Sequence, residues 1–120
     1  MKTRIKLDDF TAQYINTALW SSVDDSGEAL DKKKDMTHID EMAMKQMIDD
    51  CRKFQEDNWD LISDDVSKAG HDFWLTRNGH GAGFWDGDWP KEIGEELTRI
   101  SKSFGTCDLF VSDDGLIFVI

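Results

Sequence analysis

His71-Asp72-Phe73-Trp74-Leu75-Thr76-Arg77-Asn78-Gly79-His80-Gly81-Ala82-Gly83-Phe84-Trp85-Asp86 is the stretch on which the fold turns. Residues 72–78 are rich in aromatic and β-favouring types, which suit a pleated surface. Gly79, Gly81 and Gly83 supply the backbone freedom of a turn. Phe84, Trp85 and Asp86 then make the return strand, closed by Gly87-Asp88-Trp89-Pro90. Together these residues are expected to form a β-hairpin.

Downstream, Pro90 opens a helix, because its missing N–H costs nothing in a first turn. Ile93, Leu97, Ile100 and Phe104 lie on one stripe of that helix, and Gly105 stops it. The chain ends in a second hairpin, in which Ser112-Asp113-Asp114-Gly115 links the apolar runs 107–111 and 116–120. Asp-Gly between two such runs is a strong hairpin signal.

Upstream, Asp8 or Asp9 caps a helix that places Phe10, Tyr14 and Ala18 on one face. Ser21-Ser22-Val23-Asp24-Asp25-Ser26-Gly27 breaks it, and residues 28–36, with Lys32-Lys33-Lys34, read as a mobile loop. Thr37 is the expected cap of the longest helix, from about 39 to 62. Its apolar line is Met44, Met47, Ile48, Cys51, Phe54, Leu61 and Ile62. The expected fold class is therefore α+β in one domain over residues 1–120. Two N-terminal helices precede hairpin, helix and hairpin, and the hairpins form a four-stranded antiparallel sheet packed against helices.

The chain has 120 residues, with 25 acids against 14 bases and a net charge of −11. Sixteen acids and nine bases precede Lys68; nine and five follow from it onward, so the acidity belongs to the folded body. Such a balance opposes direct binding to nucleic-acid phosphates. No apolar run approaches the roughly 20 residues of a membrane span, and acids follow the basic start where a signal core would lie. Cys51 and Cys107 form neither a CxxC motif nor a dense framework, which fits a reducing cytoplasm.

The sixteen-residue central run resembles the signature of a family of small proteins encoded by tailed bacteriophages and prophages. Asp9-Phe10-Thr11, Tyr14-Ile15 and Ala18-Leu19-Trp20-Ser21-Ser22 are similar to that family's N-terminus. Cys51 and Phe54-Gln55 fall in its middle helix, and Ser103-Phe104-Gly105 and Asp113-Asp114-Gly115 match its end. The Lys32-Lys33-Lys34 loop and Gly87-Asp88-Trp89-Pro90 depart from its usual form. The resemblance implies a phage origin and the host bacterial cytoplasm as the place of action, and it supplies no catalytic residues to carry over. By analogy with small phage products it also implies binding, and inhibition, of a host or anti-phage defence protein.

Two surfaces are candidates for that contact. One is the acidic helix, through Asp49, Asp50, Glu56 and Asp57; such a face can also imitate the phosphate ladder of DNA and occupy a host nucleic-acid-binding protein. The other is the central hairpin, with Arg77, His80, Phe84, Trp85 and Trp89, since exposed aromatic residues anchor protein interfaces. An exposed aromatic hairpin also permits a symmetric homodimer.

A third reading is a small metal-dependent hydrolase using His71, Asp72 and His80. Within one hairpin, however, His71 at the base and His80 at the tip stand ~20 Å or more apart, at ~3.3 Å per residue. A metal needs at least three converging ligands. Neither HExxH, nor a P-loop, nor a GxSxG elbow is present. No cofactor or metal is expected.

Overall fold

The computed structural model describes residues 7–24, 26–79, 83–85 and 88–120. Four helices carry the fold: α1 (Asp9–Ser21), α2 (Glu41–Ile62), α3 (Val66–Arg77) and α4 (Lys91–Ser103). Two short strands follow, β1 (Leu109–Val111) and β2 (Ile117–Val119), which pair antiparallel as a two-stranded sheet, and Ile117 of β2 also bridges Ile39.

The ends of α1, α2 and α4 follow from local chemistry. The Asp8 carboxylate accepts from the Thr11 backbone N–H at 2.8 Å and caps α1. Asp40, not Thr37, caps α2, accepting from Met42 and Ala43. Thr37 sits instead in a short 3-10 turn, Met36–His38, capped by Asp35. Pro90 stands at the N-cap of α4. The expected mobile loop is tied down: Leu30 is buried, and Lys34 Nζ donates to the Gly115 carbonyl at 2.8 Å.

The C-terminal hairpin forms as expected, with Leu109 opposite Val119, Phe110 opposite Phe118 and Val111 opposite Ile117. Its partner hairpin does not. The segment expected as the first strand is the second half of α3, and Phe84 and Trp85 lie in a turn. The four-stranded sheet is thus replaced by a mostly helical fold with a two-stranded ribbon. His80, Gly81, Ala82, Asp86 and Gly87 lie outside the described residues.

The physical reason is burial on every side. A half-exposed strand alternates between core and solvent, whereas every residue from 72 to 77 is buried. A helix enclosed all round carries no polar stripe, and a short apolar run of this kind reads equally well as a strand. The helix begins upstream, where Asp65 caps it by accepting from the Lys68 N–H. It ends on Asn78-Gly79, with Gly79 at φ +71°, the left-handed stop that glycine favours.

The core is an aromatic stack drawn from α1, α2, α3, the turn after α3 and Phe104 at the C-cap of α4. Phe54 and Phe73 stack at 4.2 Å between centroids, Phe84 lies 5.8 Å from Phe54, and Phe104 meets Phe73 edge-on at 5.0 Å. From α1, Tyr14 meets Phe73 at 5.3 Å and Trp74 at 5.4 Å. Rings of this size bury about 150–250 Å² each, so the stack dominates the apolar burial. At Asn58 α2 departs from helical geometry, and the Asn58 amide donates back to the Phe54 carbonyl at 2.9 Å.

Candidate functional site

Arg77, expected on an exposed hairpin, is buried. Its Nε donates to the Gly105 carbonyl at 2.9 Å and its Nη2 to the Phe104 carbonyl at 3.1 Å. Its Nη1 donates to the Tyr14 hydroxyl and to Asp50 Oδ2, both at 3.0 Å. The guanidinium also lies 5.4 Å from the Phe73 centroid and 5.7 Å from that of Phe104. Arg77 and Asp50 are therefore parts of the frame, joining α1, α2, α3 and the end of α4. Phe84 is likewise core.

The acidic face of α2 is laced with cations. Asp49 accepts from Lys45 at 3.0 Å and from Arg52 at 2.6 Å, and Asp57 from Lys53 at 3.2 Å. Glu56 is exposed on the same helix. Exposed pairs at these spacings contribute little to stability, but they interrupt the run of negative charge.

A different group of residues stands together where α1, α3 and the approach to α4 meet. His71 Nδ1 and Asp72 Oδ1 are 3.0 Å apart, and Trp89 Nε1 donates to Asp72 Oδ2 at 2.7 Å. Asp72 is buried while His71 is about one third exposed. Trp20, at the end of α1 and 46% exposed, stacks on the His71 ring with centroids 5.9 Å apart. On the far side, Lys68 Nζ lies 5.7 Å from the Trp89 centroid and pairs with Asp88 at 3.2 Å. Nδ1 of His71 faces the Asp72 carboxylate, which leaves Nε2 as the ring nitrogen turned away from it.

No protein-family model, curated protein or solved structure matches this chain.

The cluster brings together His71, Asp72 and Trp89 from the sequence-based candidates and adds Trp20 and Lys68. Trp20 was legible in principle: it falls off the stripe of Phe10, Tyr14 and Ala18 and so points away from the core. Trp85 is 54% exposed in its turn. His80, the third residue of the expected metal constellation, lies outside the described residues. Among the described residues no three His, Cys, Asp or Glu side chains converge on a point. Burial pushes the thiol of Cys51 well above its ordinary pKa and raises that of Cys107, which keeps both as neutral core groups. No helix among the described residues is long and apolar enough to cross a membrane.

Proposed function

We propose that this protein is a non-enzymatic accessory protein of a tailed bacteriophage, which binds and inhibits a host or anti-phage defence protein in the bacterial cytoplasm. The phage origin is supported by the central run and its flanking matches. The binding role is carried by one observation, the half-exposed Trp20 ring stacked on His71. His71 is in turn held through buried Asp72 by the Trp89 indole. A large flat ring fixed before contact loses little entropy on docking, and tryptophan is the commonest strong anchor of protein interfaces.

The imidazole so oriented keeps Nε2 as its second polar position for a group on the partner. Among the described residues no three His, Cys, Asp or Glu side chains gather at this histidine to hold a metal. The DNA-imitating alternative has less support, because Lys45, Arg52 and Lys53 sit within the acidic face and Asp50 is committed to Arg77.

The test is capture of a partner from host lysate with the wild-type chain and with Trp20→Ala as paired baits. Trp20 lies outside the buried core, so the variant is expected to fold. Retention of the partner is expected to fall by about thirtyfold or more, the cost of losing a strong anchor of ~2 kcal/mol. Elution is expected to resist moderate salt, since apolar contacts are not screened. Equal capture by both baits, or release by moderate salt alone, would sink the Trp20 face as the contact.

A further inference from the structure

The bonds of the C-terminal ribbon show which backbone groups β1 leaves over. Ile120 N–H donates to the Asp108 carbonyl and Ser112 N–H to that of Leu116, both at 2.9 Å. With the register of the pair, those bonds turn the N–H and C=O of residues 108, 110 and 112 toward β2. The N–H and C=O of Leu109 and Val111 therefore point to the outer edge. The far edge of β2 is already used, because Asp40 N–H donates to the Ile117 carbonyl at 2.9 Å. Among the described residues nothing pairs with the backbone of Leu109 or Val111 on the outer side of β1.

An open groove of about 520 Å³ runs along that edge. Val23, Asp24 and Ser26 form its opposite wall, and Leu109, Phe110, Val111, Ser112 and Asp113 form the near one. Val23 and Phe110 are 59% and 43% exposed, which is unusual for apolar residues framing a groove beside unpaired backbone. Among the described residues the lining carries two acids, Asp24 and Asp113, and no base.

We infer that the β1 edge takes an extended, basic segment of a partner protein as an added strand, with apolar side chains against Val23 and Phe110 and lysine or arginine beside Asp24 and Asp113. An added strand satisfies all four outward groups of Leu109 and Val111, and alternate side chains give the choice of sequence. Charge decides between occupants. A second copy of this chain brings its own Asp24 and Asp113 against the first pair, and a net charge of −11 with them. That opposes pairing of two β1 edges and favours a cationic guest. The groove shares no residue with the Trp20 cluster, so either can fail without the other.

The probe is a short fluorescein-labelled peptide of alternating valine and lysine, titrated into the full chain by anisotropy. Its counterpart is the same peptide N-methylated at alternate residues, which keeps charge and composition but removes the edge-facing donors. Saturable binding is expected, weakened about tenfold or more by the methylation. Amide exchange at Leu109 and Val111 is expected to slow in the complex. Val111→Pro removes an outward N–H that the β1–β2 ladder does not use, and is expected to weaken the unmethylated peptide likewise. Absence of binding, or equal binding of both peptides with no protection at Leu109 and Val111, overturns the inference and leaves at most a diffuse acidic attraction.

Discussion

Arg77→Ala is expected to lower the stability of the fold by about 3–5 kcal/mol, the usual cost of breaking a buried ion pair from one side. The loss comes mainly from what is left behind. Asp50 keeps a largely buried carboxylate without its cation, and the Tyr14 hydroxyl loses its partner. The carbonyls of Phe104 and Gly105 lose their donors as well, which frees the segment joining α4 to β1. Small domains have only about 5–15 kcal/mol in total, so the variant should stand near the edge of folding. Arg77→Lys keeps the charge but cannot reproduce a fork that reaches four acceptors, and it should recover only part of the loss. Urea unfolding of the three proteins measures this. A cost below about 1 kcal/mol for Arg77→Ala would mean that the guanidinium is solvated at the surface, as on the exposed hairpin, and not inside the fold.

Gly70→Ala is the second large effect, expected at about 3 kcal/mol. A Cβ built on Gly70 falls 2.1 Å from the Phe10 carbonyl oxygen and 2.9 Å from its carbon. These are backbone atoms of α1, so no side-chain rotation relieves the overlap, and the two helices must separate. Alanine favours a helix interior over glycine by roughly 1 kcal/mol, which offsets part of the cost but does not reverse it. Thermal unfolding of this variant reads the result. A neutral or stabilised protein would show that α1 and α3 do not meet here.

Arg77 falls within, and Gly70 just before, the part of the chain that sequence reasoning misplaced, and the cause is visible in the residues. Asp8 before Phe10 and Tyr14, Pro90 before Ile93 and Leu97, and Asp114-Gly115 between apolar runs each pair a boundary signal with an apolar pattern, whereas α2 rests on the length of its line from Met44 to Ile62, its cap being Asp40 and not Thr37. Those four elements were readable for these reasons. The run 72–77 has a polar face in neither period, since Asp72, Thr76 and Arg77 are polar yet buried against Trp89, Phe84 and Asp50. Its β-favouring rings describe a crowded environment and not a backbone preference. Asn78, expected as the last strand residue, and Gly79, expected to open the hairpin turn, are instead the end of a helix.

The same shift explains what happened to the candidate site. On a hairpin, Arg77, Phe84 and Trp89 are surface residues beside Trp85. On a buried helix followed by a turn, Arg77 and Phe84 become core and Trp89 turns inward to Asp72. The His71-Asp72 pair survives as a neighbourhood because adjacent residues stay adjacent in any fold. Trp20 joins it only through the packing of α1 on α3, which no local pattern announces.

Everything said of the Trp20 cluster and of Arg77 depends on α3 being a helix from Val66 to Arg77. Backbone ¹³Cα shifts across residues 71–77 in the intact protein test this most directly. Uniformly positive deviations from random-coil values are expected, broken at Asn78-Gly79. Negative, strand-like deviations over that segment would restore the hairpin and remove the site described here.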